Sequence, residues 1–155
     1  MHTGDIGHWA KENFLIITDR KSSIYKHASG KFISPAQIEA TLVHHPLIEH
    51  AVIIGFLRPF TIALIIPDFE ALQKECSQKE IHWTAPEYMV HNTLVIEMYS
   101  DVIDHLGLQS HERIEKFALL ADSWSPENGL LTATYKPRRK EIEKRYGKVI
   151  EELYN

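Results

Sequence analysis

The sequence predicts an α+β fold, in which a small mixed or antiparallel sheet with an N-terminal β-hairpin is packed by helices. Three observations carry this. Short apolar, β-branched runs recur at 14–18, 49–54, 61–66 and 117–121. Helical apolar spacing fills the intervals around them. Turn chemistry built on Pro, Gly, Asp and Ser separates the two kinds of segment.

Taken in order, Phe14-Leu15-Ile16-Ile17-Thr18 reads as a strand, and Asp19-Arg20-Lys21-Ser22-Ser23 ends it with turn-forming side chains. Ile24-Tyr25-Lys26 is expected to return as its hairpin partner. Ser34-Pro35 supplies an N-cap and a first-turn proline, so a helix carrying Ile38, Leu42 and Val43 should run to His45-Pro46. The runs 49–54 and 61–66 are apolar enough for buried strands, and the short turn segment between them suggests an antiparallel pair. Asp68 is placed to cap a helix that ends near Ser77, and Thr84-Ala85-Pro86-Glu87 opens another segment. Across 91–106, Leu94, Val95, Met98, Val102, Ile103 and Leu106 fall on one side of a long helix. A strand follows at 117–121 and a turn at 125–129. From Arg138 onward, Ile142, Tyr146, Val149, Ile150 and Leu153 mark the inner face of a final helix.

At 155 residues the chain has the size of one domain, and such a domain buries about 68–70% of its unfolded surface. A hydrophobic fraction of 44% with 25% charged residues is ordinary for a globular protein. The net charge of −4 argues against a general nucleic-acid partner. The single cysteine, Cys76, lies in a polar run, which excludes an internal disulfide and fits a reducing cytoplasm. No apolar run approaches the roughly 20 residues of a membrane-spanning helix. The ten histidines lack the spacing of a metal site. Dinucleotide, P-loop, hydrolase and zinc-protease signatures are all missing.

Chemistry concentrates in a few blocks. Asp5 stands between Gly4 and Ile6-Gly7, where backbone allows close approach and the carboxylate can accept two ribose hydroxyls, or simply close an Asx turn. The block lies close behind Met1, with no strand to lead into it, so the chain is expected to be part of a larger machine. Asp19 and Arg20 read equally as a surface pair or as a phosphate or ribose clamp through the planar guanidinium. Arg138, Arg139 and Lys140 crowd the first turn of the final helix, where the dipole disfavours cations. An anionic group would relieve them; a merely basic helix face is the alternative.

In sequence order, HTGDIG, TDRK, SGKFISPAQIE, HPLIEHAVIIG, a strand ending in Pro-Asp-Phe and TATYKPRRK span essentially the whole chain. This succession resembles the C-terminal domain of the adenylate-forming, AMP-binding enzymes, and is most similar to the long-chain fatty acyl-CoA synthetase branch. The resemblance implies an acid-thiol ligase as the parent. Such an enzyme converts a fatty acid and ATP to an acyl-adenylate, with Mg2+ expected, and then transfers the acyl group to CoA. It implies that 1–18 closes a preceding nucleotide-binding domain and linker, and that 19–155 is a mobile lid working against an N-terminal domain. Asp5 and Arg20 are implied nucleotide contacts, Asp19 and Lys21 the hinge, and Lys136 the catalytic lysine, with Lys140 the next candidate. Ser29, Gly30 and Lys31 are implied to line the pantetheine channel, with Glu39 as a supporting carboxylate.

The chain departs from the family pattern at Ser29-Gly30, where two glycines are common, and at Thr132-Ala133-Thr134, where Thr-Pro-Thr is usual. The fragment is expected to be inactive alone and cytoplasmic, with membrane attachment of the parent left open. A free-standing interaction module of the same fold, or a ligase for a short-chain or aromatic acid, are the alternatives.

Overall fold

The structure, a computed structural model, describes residues 5–9, 15–20, 24–27 and 29–155. Strand β1 (Asp5–Trp9) pairs antiparallel with β2 (Leu15–Arg20). The expected hairpin is therefore present, but with different partners. β2 continues through Asp19 and Arg20 and returns upstream, not onto Ile24-Tyr25-Lys26. Tyr25 and Lys26 form β3 (Tyr25–Lys26), which pairs with β4 (Phe32–Ile33). Gly30, at φ 85°, permits the turn that joins these two strands.

Helix α1 (Pro35–Val43) begins at the proline after Ser34 and buries Ile38 and Leu42. It leads into the central sheet, β5 (Ile48–Ile54), β6 (Thr61–Pro67) and β7 (Ile114–Leu119), in the order β5-β6-β7. β5 and β6 are antiparallel, as their spacing predicts. β7 starts earlier than the predicted 117–121 because Ile114 is buried and pairs with Thr61. It runs parallel to β6, since α2 (Phe69–Gln78), α3 (Pro86–Met89) and α4 (Thr93–Asp104) carry the chain back across the sheet.

The continuous apolarity of β6 has a direct cause: both faces of the sheet are covered. Ile53, Ala63, Ile65 and Leu119 face a core with α1, α2 and α4, through Leu42, Leu72 and Tyr99. Val52, Ile54, Ile62, Leu64 and Leu120 face a second core with Trp124 and the C-terminal helices. Asp68 caps α2 by accepting from Ala71 N–H at 3.0 Å, as the sequence predicts.

Two helices differ from expectation. Asn92 caps α4 by accepting from Leu94 N–H at 2.9 Å, which starts the helix after His91. Its buried face is Val95, Tyr99 and Ile103, leaving Leu94 exposed. The C-terminal helix is two, α5 (Arg139–Arg145) and α6 (Gly147–Tyr154), divided at Tyr146 with φ −102° and ψ 22°. The Tyr146 hydroxyl is held at that break by Asp122, to which it donates at 2.7 Å, and by Trp124 Nε1, from which it accepts at 3.0 Å.

Candidate functional site

The lysine singled out in the sequence sits on a tight loop. Leu131 and Pro137 form an isolated antiparallel bridge, and Thr132 N–H donates to the Lys136 carbonyl at 2.8 Å. Inside it, Lys136 N–H donates to Thr132 Oγ1 at 3.1 Å, and the Thr132 and Thr134 hydroxyls lie 3.0 Å apart. The threonines of the late block thus shape the loop. Tyr135 takes φ 61°, the left-handed conformation that closes it. The Lys136 side chain is exposed, and its ammonium has no partner among the described residues.

The basic run divides into different roles. Arg138 donates through Nη1 to the Gly129 carbonyl at 3.3 Å, locking the base of the loop. Arg139 turns inward: its Nη2 lies 2.6 Å from Glu39 Oε1, and its Nη1 donates to the Ile53 carbonyl. Glu39 also accepts from Ile53 N–H at 2.8 Å. Glu39 is thus the anion that Arg139 requires, and it ties α1 to α5 across β5. Lys140 remains exposed on a cleft of about 680 Å³ with Tyr25, Gly55, Phe56 and Arg58. On the same cleft Arg58 pairs with Glu151.

Residues 29–31 are exposed on the turn between β3 and β4. His27 Nδ1 lies 3.0 Å from Ser29 Oγ and accepts from Ser29 N–H at 3.2 Å, so a histidine side chain fixes the loop. On the N-terminal hairpin, backbone register sets Asp5 opposite Arg20 and Ile6 opposite Asp19, with a bulge between Ile6 and Gly7. The two expected nucleotide contacts are therefore cross-strand neighbours. Asp5 lies in a strand, not in the tight turn its glycine neighbours suggested. Lys21 lies outside the described residues.

A cationic recess of about 380 Å³ adjoins the 29–31 loop through His27, and Ser110, His111, Arg113 and Lys116 line it with Glu115. His111 Nδ1 is buried with no hydrogen-bond partner among the described residues. Lys116 Nζ lies 5.6 Å from the Phe60 ring, and Arg113 Nε 3.6 Å from Glu115. Sequence reading missed this group, because its members come from His27 just after β3, from 59–61, and from the stretch 110–116 that joins a 3₁₀ turn (Ser110–Glu112) to β7. The charged residues Arg113, Glu115 and Lys116 close to Ile114 were its local signal. Among the described residues no cluster of His, Cys, Asp or Glu has the geometry to hold a metal. No helix among them is long and apolar enough to cross a membrane.

The AMP-binding enzyme C-terminal domain family matches residues 23–155. The chain belongs to that family. Among curated members, it is 34% identical over 158 residues to mouse long-chain-fatty-acid–CoA ligase 6, covering 99% of this chain and 23% of that protein. It is 35% identical over 156 residues to long-chain-fatty-acid–CoA ligase FadD15 of Mycobacterium tuberculosis, covering 99% and 26%. Fatty acyl-CoA synthetase A of Dictyostelium discoideum is 30% identical over 165 residues, with 99% and 24% covered. The chain therefore spans about a quarter of the length of these relatives.

Among solved structures, the adenylation domain of a Mycobacterium chelonae carboxylate reductase superposes with a TM-score of 0.74 at 25% identity, over 98% of this chain and 22% of that one. The A-PCP didomain of a Segniliparus rugosus carboxylic acid reductase, solved with AMP, gives 0.73 at 25%, over 98% and 20%. AMP-binding enzyme C-terminal domains thus share this arrangement of small sheets and packing helices.

Proposed function

We propose that this chain is the C-terminal domain of an ATP-dependent long-chain fatty acid:CoA ligase, working as a lid on a larger N-terminal domain. The observation that carries the reading is the exposed Lys136 ammonium, without a partner among the described residues, on a hydrogen-bonded loop in a chain whose curated relatives are fatty acyl-CoA ligases. A positioned cation can stabilise the charge that develops when a carboxylate attacks the α-phosphate of ATP. Asp5 and Arg20, paired across the hairpin, are assigned to the nucleotide, and Asp19 with Lys21 to the hinge between 1–18 and 19–155. Ser29, Gly30 and Lys31 are assigned to the pantetheine arm of CoA. The cationic recess beside them suits its phosphates, and the orphaned His111 Nδ1 offers one more polar partner. The Mg2+ expected with ATP is assigned to the N-terminal domain.

In the parent enzyme, Lys136→Ala should slow adenylation at least a hundredfold, about 3 kcal/mol, while sparing thioester formation from supplied acyl-adenylate. Equal loss of both half-reactions would remove Lys136 from the role, and Lys140→Ala in the same assays tests the alternative lysine. Arg113→Ala should raise KM for CoA and leave adenylation unchanged. The chain alone, given ATP, CoA and a long-chain fatty acid, should form no acyl-CoA. Turnover by the isolated chain would refute its role as a dependent lid.

A further inference from the structure

The edges of the central sheet are β5 and β7. On β5, the outward N–H and C=O of Ile53 are both taken up by side chains, the first by Glu39 and the second by Arg139. On β7, Leu120 N–H donates inward to the Ile65 carbonyl at 2.9 Å. Hydrogen bonding along a strand alternates in direction, so Lys116 and Ala118, in phase with Leu120, face β6. Phe117 and Leu119 are out of phase and aim their N–H and C=O groups away from the sheet. No strand, loop or side chain among the described residues bonds to these groups.

Exposed strand edges are normally guarded by charges, proline or bulges. Glu115 and Lys116 guard the first half of β7, whereas Phe117-Ala118-Leu119-Leu120-Ala121 carries no such residue. This unguarded half forms the floor of a groove of about 540 Å³. Val90 and Ile96 line one wall, and Val149 and Leu153 of α6 the other. Its charged rim is Glu87, Asp122 and Glu152 with His91, and no lysine or arginine among the described residues lines it. Asp122 is engaged by Tyr146 and lies 3.8 Å from Arg145 Nε, whereas Glu87 and Glu152 are exposed with no partner among the described residues.

We infer that the β7 edge is a docking site for an extended segment of another polypeptide, which adds as a fourth strand beside Phe117 and Leu119. Its main chain pairs with the free N–H and C=O groups. Its side chains point alternately to the two apolar walls, as strand geometry requires. Basic residues at its ends meet Glu87 and Glu152, the carboxylates left uncompensated at the rim.

The test uses this chain, 15N-labelled, and the peptide Lys-Lys-Thr-Val-Thr-Val-Thr-Lys-Lys. Titration should move the Phe117 and Leu119 amides most and slow their hydrogen exchange. Methylating alternate peptide nitrogens should abolish binding in one phase and spare it in the other, because only one edge of the peptide pairs. Glu87→Lys with Glu152→Lys should weaken this peptide roughly three- to tenfold, as expected for two exposed charge pairs, and should strengthen a Glu-flanked version. Several outcomes would overturn the inference: no amide perturbation up to about a millimolar, equal binding by both methylated phases, or perturbation centred away from β7. Self-association of the chain that protects these amides without peptide would do so as well, assigning the edge to a second copy.

Discussion

Arg139 Nη2 lies 2.6 Å from Glu39 Oε1, joining residues a hundred positions apart. The pair stands between the loop that carries Lys136 and the helix that follows the 29–31 turn. It also satisfies both outward main-chain groups of Ile53. The two loops assigned to successive half-reactions are thereby held in one body, so any rotation of that body would carry both.

The side chains are 31% and 16% exposed, so the pair is largely removed from water. Deleting either partner leaves a desolvated charge and an unpaired group on Ile53. Glu39→Ala and Arg139→Ala should each cost about 2 kcal/mol of folding stability. The double variant should cost clearly less than their sum, read from urea midpoints in a double-mutant cycle. Additive losses would show that the two side chains act independently.

Gly55 is a second point where one atom decides. A Cβ there would lie 2.2 Å from the Tyr25 hydroxyl oxygen and 3.0 Å from Thr61 Oγ1. Tyr25 therefore bonds Thr61 at 3.2 Å only because position 55 has no side chain. Gly55→Ala should destabilise the chain by roughly 1–3 kcal/mol through overpacking. Adding Tyr25→Phe removes the worst contact and should recover part of that loss, although Tyr25→Phe alone strips Thr61 of its partner and costs about 1 kcal/mol. Thermal unfolding of the three variants measures the effect, and failure of the second change to recover stability would place the strain elsewhere.

What was legible in the sequence, and what was not, follows from where the information lies. The run from Thr61 to Ile66 announced a strand buried on both faces, and Asp68 announced the helix after it, because both signals are local. The direction of β7 was not readable, since parallel and antiparallel strands can carry the same side chains. The partner of the 14–18 strand was misjudged because β3 is too short to compete with the upstream β1. For the basic helix start an anion and a merely basic face were both open readings, and for Arg139 the anion is Glu39, too distant in sequence for any spacing rule to reach. The recess around His111 assembles from three separated segments and left no local pattern strong enough to find.

His50 should give stability a distinct pH dependence. Its ring stacks on Trp124 with centroids 5.9 Å apart and planes at 16°. Burial pushes its pKa below the ordinary 6.5, with Glu49 opposing in part. The unfolded chain then binds a proton at a pH where the folded chain does not. Stability from this site is present above 6.5 and declines as pH falls from there through the lower folded value. Between about pH 7.5 and 5.5, a range around the ordinary histidine pKa, the wild-type chain should lose more stability than His50→Gln, measured by urea unfolding at each pH. Parallel losses in the two chains would assign the pH dependence to other groups.

Cys76 offers a probe of how the α2 side of the core opens. It is fully buried beside Leu72, and burial, reinforced by the Glu75 charge, pushes the thiol pKa up. Both effects suppress the thiolate that reacts with disulfide reagents. The folded chain should therefore leave DTNB unreacted over the time in which the urea-unfolded chain releases one equivalent of thionitrobenzoate. If α2 detaches separately, reaction at low urea will run ahead of global unfolding; if the core opens as one, labelling will follow the unfolding transition. The contacts favour the second result. The Tyr99 hydroxyl donates to the Leu47 carbonyl at 2.6 Å, and Asp68 N–H donates to that same carbonyl at 2.9 Å, so α4, the start of β5 and the N-terminus of α2 meet at a single oxygen. Tyr99→Phe removes the α4 arm of that junction and should lower the urea concentration at which Cys76 becomes reactive. Rapid labelling of the wild-type chain without denaturant would contradict the burial on which this prediction rests.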